Sequence, residues 1–170
     1  MISSLSDALY KSSMKADFIN PFLNAAMNVV GTMAATKAVP GIPSLKRETN
    51  TWGLVNGIIG LASNEHLGNM ILSFEESCIL FIVNKMLSES YSAIDKNVID
   101  AVGELTNMIS GGAKKELRDL GFLFEMALPV VITGKNVQIH QLIEGPTIII
   151  PFTTQAGAFR IEANLVERKK

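Results

Sequence analysis

Residues 95–121 read DKNVIDAVGELTNMISGGAKKELRDLG, and their spacing predicts one long amphipathic helix. At roughly 100° per residue, Val98, Val102, Leu105, Ile109, Ala113 and Leu120 fall on one apolar side, which must face a core. The opposite side carries Lys96, Asp100, Gly103, Glu104, Asn107, Gly111, Lys114 and Arg118. Glu104 and Asn107 are three residues apart, so they are neighbours on the helix surface and can act together.

This exposed side has an unusual composition for a helix. An Asn side chain competes for backbone hydrogen bonds, and each Gly costs about 1 kcal/mol relative to Ala. Gly103 and Gly111 flank Asn107 at four residues on either side, which leaves the surface around it bare of long side chains. A partner's backbone or a compact anionic site could approach closely there. The same pattern also fits a solvated helix face with packing glycines, and periodicity alone leaves both readings open.

The chain on either side repeats one order of elements. In the first half, Asn20-Pro21 predicts a helix start, with Asn as N-cap and Pro in the first turn, and Phe22, Ala26, Val29, Val30 and Met33 carry it to about Thr36. Pro40, Gly41 and Pro43 end it. Strands are then expected at Ser44 to Thr49, Leu54 to Ala62 and His66 to Phe74, the last two forming a hairpin through Ser63-Asn64-Glu65. In the second half, the Glu104 helix is followed by a strand at Pro129 to Thr133 and a hairpin of Thr147 to Phe152 with Ala158 to Asn164. GIIGLASNEHLGNMILSF and TIIIPFTTQAGAFRIEANL share their alternation, their polar turn and a Gly opening the return strand. Between the halves, Cys78 to Leu87 predicts a mostly apolar helix that adds a core layer.

The fold class expected is α/β, an α+β sandwich. Two long helices pack on a mostly antiparallel sheet of about six strands with an internal pseudo-two-fold repeat. Residues 1–13 precede a second Met, Met14, and are expected to form a flexible extension; residues 14–170 are expected to form a single domain. Laying the halves over each other pairs Asn28 with Asn107, Ala25 with Glu104 and Thr32 with Gly111. The first helix thus keeps the amide and loses the acid, and Asn24 and Asn28 form a polar exposed face.

Composition narrows the partners. With 48% hydrophobic and 18% charged residues, the chain can bury one good core and is not disordered. A formal net charge of -1 gives no electrostatic footprint for nucleic acid, and Arg168-Lys169-Lys170 reads as a solvated end. MISSLSDALYKSS lacks the apolar stretch of a signal peptide, and no run reaches the roughly 18 apolar residues of a membrane span, so a soluble cytoplasmic protein is expected.

Other chemistries find little support. One cysteine excludes an internal disulfide framework, and Cys78 within ESCILFIV reads as a buried small hydrophobe. His66 and His140 have no companions at metal-ligand spacing, so no protein-held zinc site is expected. No Walker loop or G-x-S-x-G elbow is present. Trp52, at a strand entry, reads as a packing residue, and the helical methionines as core filling.

The string GELTNMISGGAKKEL resembles the signature of the CheC/CheX family of bacterial chemotaxis phosphatases. MKADFINPFLNAAMNVVGTM, GIIGLASNEHLGNMILSF and TIIIPFTTQAGAFRIEANL are also similar to this family, and closer to CheX than to CheC, over most of the chain from about Met14 to Glu167. The resemblance implies a phosphatase acting on the aspartyl-phosphate of a CheY-type response regulator. Asn107 would orient the attacking water, and Glu104 would dock against the regulator's active-site lysine. Gly103, Gly111, Gly112 and Lys114 would border the partner. No cofactor is expected on this chain, and the Mg2+ would be held by the regulator. A homodimer with one competent site per chain is implied, on an exposed helix face that needs no deep pocket. The alternatives are a non-enzymatic module of the same fold that binds a response regulator or scaffolds a signalling complex, and a structural homo-oligomer with a decayed site.

Overall fold

Alternating apolar residues build the two hairpins at the centre of the structure, a computed structural model that describes residues 2–140 and 143–168, with side chains from Asp17 onward. Lys169 and Lys170 of the basic tail lie outside the described residues. Among the described residues, three helices, α1 (Ile2–Ala34), α2 (Glu76–Leu87) and α3 (Lys96–Asp119), accompany eight strands. These are β1 (Val39–Pro40), β2 (Ser44–Leu45), β3 (Val55–Ala62), β4 (His66–Phe74), β5 (Glu125–Met126), β6 (Val130–Thr133), β7 (Thr147–Thr154) and β8 (Gly157–Glu167).

The strands form one antiparallel sheet in the order β1-β7-β8-β4-β3-β5, with β2 also on β7 and β6 also on β3. Its centre is the pairing of the two return strands, β4 with β8, from His66↔Glu167 to Phe74↔Phe159. The repeat is visible around this line. The short strands that follow α1 pair with β7 of the second hairpin, and those that follow α3 pair with β3 of the first. Each half therefore edges the other's sheet.

Side chains alternate across a strand. One face of the sheet contributes Ile59, Met70, Leu72, Phe74, Ile150 and Phe159 to a core shared with all three helices. On the other face, β8 places Glu162, buried between Lys46 and Arg160. The Arg160 guanidinium in turn lies 5.3 Å over the Trp52 ring, so this half-exposed indole does pack, as expected.

Four sequence expectations are corrected. The sheet has eight strands rather than about six, because two-residue pairings at its edges leave almost no sequence signal. The apolar helix expected between the halves is present as α2 and adds its core layer to the two long ones.

The first helix starts at Ile2 and not at Asn20, with Pro21 in its interior. A mid-helix Pro removes a hydrogen bond and crowds the carbonyl four residues back, costing about 3 kcal/mol. Here that carbonyl belongs to the exposed Asp17, where water can satisfy it. Burial of Phe18, Ile19, Phe22, Ala25, Ala26, Val29 and Val30 on a continuous stripe runs through the Pro and outweighs that cost.

In α3, the last buried position is Leu117, whereas Leu120 is 51% exposed. The helix ends at Asp119 and Gly121 follows with φ +92, so Leu120 leaves the apolar stripe. The register between the two long helices also shifts by one residue. Ala25 is buried and Glu104 exposed, so they cannot be equivalent. Matching buried with buried places Asn24 opposite Glu104, Met27 opposite Asn107 and Gly31 opposite Gly111. The first helix therefore carries no acid at the Glu104 place and no amide at the Asn107 place.

Candidate functional site

Helix α3 is fixed at three points along its length. At its N-terminus the Asp95 carboxylate accepts a hydrogen bond from the Val98 N–H at 3.0 Å, the N-cap that starts the helix. In the middle, Thr106 is fully buried against β3, its hydroxyl turned back to the Val102 carbonyl at 2.7 Å. Gly57 makes that approach possible, because a Cβ there would stand 1.9 Å from Thr106 Oγ1. Further along, Gly112 lets α1 come close: a Cβ at Gly112 would lie 3.1 Å from the Cβ of Ala25. The buried stripe of Val98, Val102, Leu105, Ile109 and Ala113 then aims the opposite stripe outward.

On that outward stripe Glu104 and Asn107 are both exposed, one helical turn apart. Among the described residues, neither side chain is engaged in a hydrogen bond or ion pair. Gly111, the next turn along, would place a Cβ in open space, with nothing within 4 Å. Gly103 faces Val131 of β6, whose Cγ2 is 3.8 Å from a built Cβ. Of the two flanking glycines, Gly111 is the bare ground expected beside Asn107, whereas half-buried Gly103 packs toward β6. Gly112 has a packing duty toward α1, and half-buried Lys114 forms an ion pair with Glu125 at 3.6 Å. Lys96 and Asp100 pair with each other at the start of the helix.

The helix face is not flat. Gly103, Glu104 and Asn107 border an open groove of about 690 Å³, which is also lined by Met86, Leu87, Tyr91, Pro129 and Val131. Sequence reasoning missed these residues because they come from the end of α2, the connection after it and the approach to β6. Only the chain fold brings them beside α3.

The other residues weighed in the sequence stay out of this site. His66 packs edge-on against Phe122, with ring centroids 5.6 Å apart, and His140 is exposed in a loop. Cys78 is fully buried, and burial pushes its thiol up to about 11, with Thr154 opposing and Glu75 adding to the shift. Among the described residues no three His, Cys, Asp or Glu side chains group to hold a metal ion, and no helix is long and apolar enough to cross a membrane.

The chain is an α/β protein built as a two-fold repeat of helix and hairpin, with an acid and an amide exposed on one outward helix face. The sequence profile of the chemotaxis phosphatase CheX family matches residues 55–153, and the chain belongs to that family. A CheC-like superfamily protein from Shewanella sp. PV-4 is 46% identical, with 88% of this chain and 97% of that one covered and a TM-score of 0.83. The CheX–CheY–BeF3–Mg2+ complex from Borrelia burgdorferi includes a chain 30% identical, with 89% of this chain and 98% of that one covered and a TM-score of 0.71. The CheY-P phosphatase CheX of Thermotoga maritima is 24% identical over 74% of this chain and 81% of its own length.

Proposed function

We propose that the chain hydrolyses the aspartyl-phosphate of a CheY-type response regulator in the cytoplasm by lending it the Glu104/Asn107 face. The observation that carries this reading is the pair of free polar side chains on a helix anchored by Asp95, Thr106 and Gly112. Phosphoryl transfer is accelerated mainly by positioning and charge stabilisation. The Asn107 amide donates and accepts hydrogen bonds but is no base, so its part is to hold a water in line with phosphorus. The Glu104 carboxylate pairs with a lysine at the edge of the regulator's site and sets the register of Asn107. Mg2+ belongs to the regulator, and the partner named in the Borrelia burgdorferi complex supports that assignment.

Gly103, Gly111 and Lys114 border the docked regulator, while Gly112, first expected there, packs α3 on α1. One site per chain is expected, because Asn24 and Met27 occupy the equivalent places on α1. A homodimer is part of the proposal: Ile42 and Leu45 near one sheet edge, and Leu128 and Val130 near the other, hold apolar side chains out to solvent.

The test is the decay of the acyl-phosphate on the purified cognate regulator, with and without this protein. Asn107→Ala is expected to lower the acceleration on the order of 10²-fold, as for loss of one oriented donor, with an unchanged circular dichroism spectrum. Turnover equal to wild type in that variant would remove the mechanism. Binding without faster decay would instead favour a non-enzymatic module.

A further inference from the structure

The groove beside Glu104 and Asn107 has a lining that the hydrolytic chemistry does not need. Its polar border is α3, but Met86, Leu87 and Tyr91 contribute apolar surface from the end of α2 and the connection that follows. Leu87 is 41% exposed at the last position of α2. A single exposed leucine is ordinary on a protein surface. One that shares a groove with two unengaged polar side chains offers a partner a mixed apolar and acidic surface.

This lining is held in place before any partner arrives. The Asn84 side chain bridges the backbone of Tyr91, accepting from its N–H at 2.6 Å and donating to its carbonyl at 2.9 Å. The Asn84 carbonyl accepts from the N–H groups of Ser88 and Glu89, and Ser88 takes a left-handed backbone with φ 55. The turn that carries Leu87 and Tyr91 is therefore closed from both ends by one residue. A preformed wall lowers the ordering cost of binding, which is what a recognition surface requires.

Resting on the proposed phosphatase reading, we infer that this groove is the specificity pocket for the regulator: it takes an apolar side chain from the regulator's surface next to the cation that meets Glu104. Charge complementarity sets the occupant. Asp100 is already paired with Lys96, which leaves Glu104 as the unengaged carboxylate at the groove. A partner with a lysine flanked by an apolar side chain satisfies both parts at once. Glu104 and Asn107 then perform the chemistry, while the Leu87 side of the groove decides which regulator is held.

The experiment measures the affinity of the full chain for the cognate regulator loaded with beryllium trifluoride and Mg2+, together with KM and kcat for the phosphorylated regulator. Burying most of a leucine is worth about 1.5 kcal/mol, close to ten-fold in affinity. Leu87→Ser is expected to weaken Kd and raise KM by about that factor with kcat preserved, and Leu87→Met is expected to restore both. An unchanged Kd and KM in Leu87→Ser overturns the groove assignment while leaving the phosphatase reading intact if Asn107→Ala is inactive. A wild-type protein that neither binds nor dephosphorylates the regulator overturns both. Binding without hydrolysis removes the enzyme reading alone, and the Kd of Leu87→Ser still decides the groove.

Discussion

Gly57 of β3 lies directly beneath Thr106 of α3, so close that a Cβ on the glycine would stand 1.9 Å from the threonine hydroxyl. Thr106 is the residue before Asn107, and it is fully buried. The distance between helix and sheet at this point thus sets how the candidate amide is presented. Gly57→Ala should push α3 outward. Overpacking of this kind costs about 1–3 kcal/mol, which urea denaturation would register as a lower midpoint. Phosphatase activity should fall as well, even though Gly57 cannot touch a partner. A variant with wild-type stability and turnover would show that the contact does not position Asn107.

The buried charges on the far face of the sheet make the opposite case. Glu162 is 1% exposed between Lys46 and Arg160, the latter at 2.6 Å from Oε1. Among the described residues its Oε1 takes no well-aligned hydrogen bond and Arg160 Nε has no partner, so the triad is an ion pair more than a satisfied network. Removing one member leaves uncompensated buried charge, a loss of roughly 3–5 kcal/mol. Glu162→Ala should therefore be severely destabilised in a thermal melt. The fraction that folds should keep wild-type kcat, because Glu162 alternates with Ile161 and Ala163 and faces away from α3. A loss of kcat without loss of stability would contradict this separation.

The pattern of these residues explains what the sequence could disclose. β3, β4, β7 and β8 were readable because alternation over eight or more residues has one structural solution. α3 was readable from its stripe, and Asn107 stood out within it because Asn and its flanking glycines are poor helix formers. The start of α1 was not, since Asn20-Pro21 has every local feature of a helix N-terminus and only tertiary burial of Phe18 and Ile19 overrides it. The register of α1 against α3 failed for a related reason. Matching Asn28 to Asn107 compares residue types, whereas the fold matches burial, and that puts Met27 in the place of Asn107. Gly57 and Tyr91 were illegible in their roles, because each acts through a contact distant in sequence.

Cys78 supplies a pH dependence. Burial raises its thiol from an ordinary value of 9.0 to about 11, so folding favours the neutral form. The contribution to stability is fully present below pH 9 and disappears as pH rises through 11. The shift corresponds to about 3 kcal/mol. Denaturation midpoints should fall across that window in the wild type and fall less in Cys78→Ala. At pH 8 a thiol reagent should label Cys78 only after unfolding; rapid labelling of the native protein would mean that this α2 side chain is not sealed against Thr154.

Gly111 and Gly112 separate the demands of packing from those of docking within two consecutive residues. Both are exposed along the backbone, yet a side chain at Gly111 meets open space and one at Gly112 meets Ala25 at 3.1 Å. Replacing Gly111 with Leu should stabilise α3 by up to about 1 kcal/mol, the gain in helix propensity. The same leucine rises on the face that carries Asn107, one turn along, and its bulk should prevent a regulator from seating. Gly112→Leu should instead force α1 and α3 apart and lower the melting temperature. The paired measurement is thermal stability against dephosphorylation rate for each variant. The expected result is a stable but inactive Gly111→Leu and a destabilised Gly112→Leu. Full activity in the first variant would mean that the regulator does not approach α3 closely there, and the clear ground beside Asn107 would lose its functional meaning.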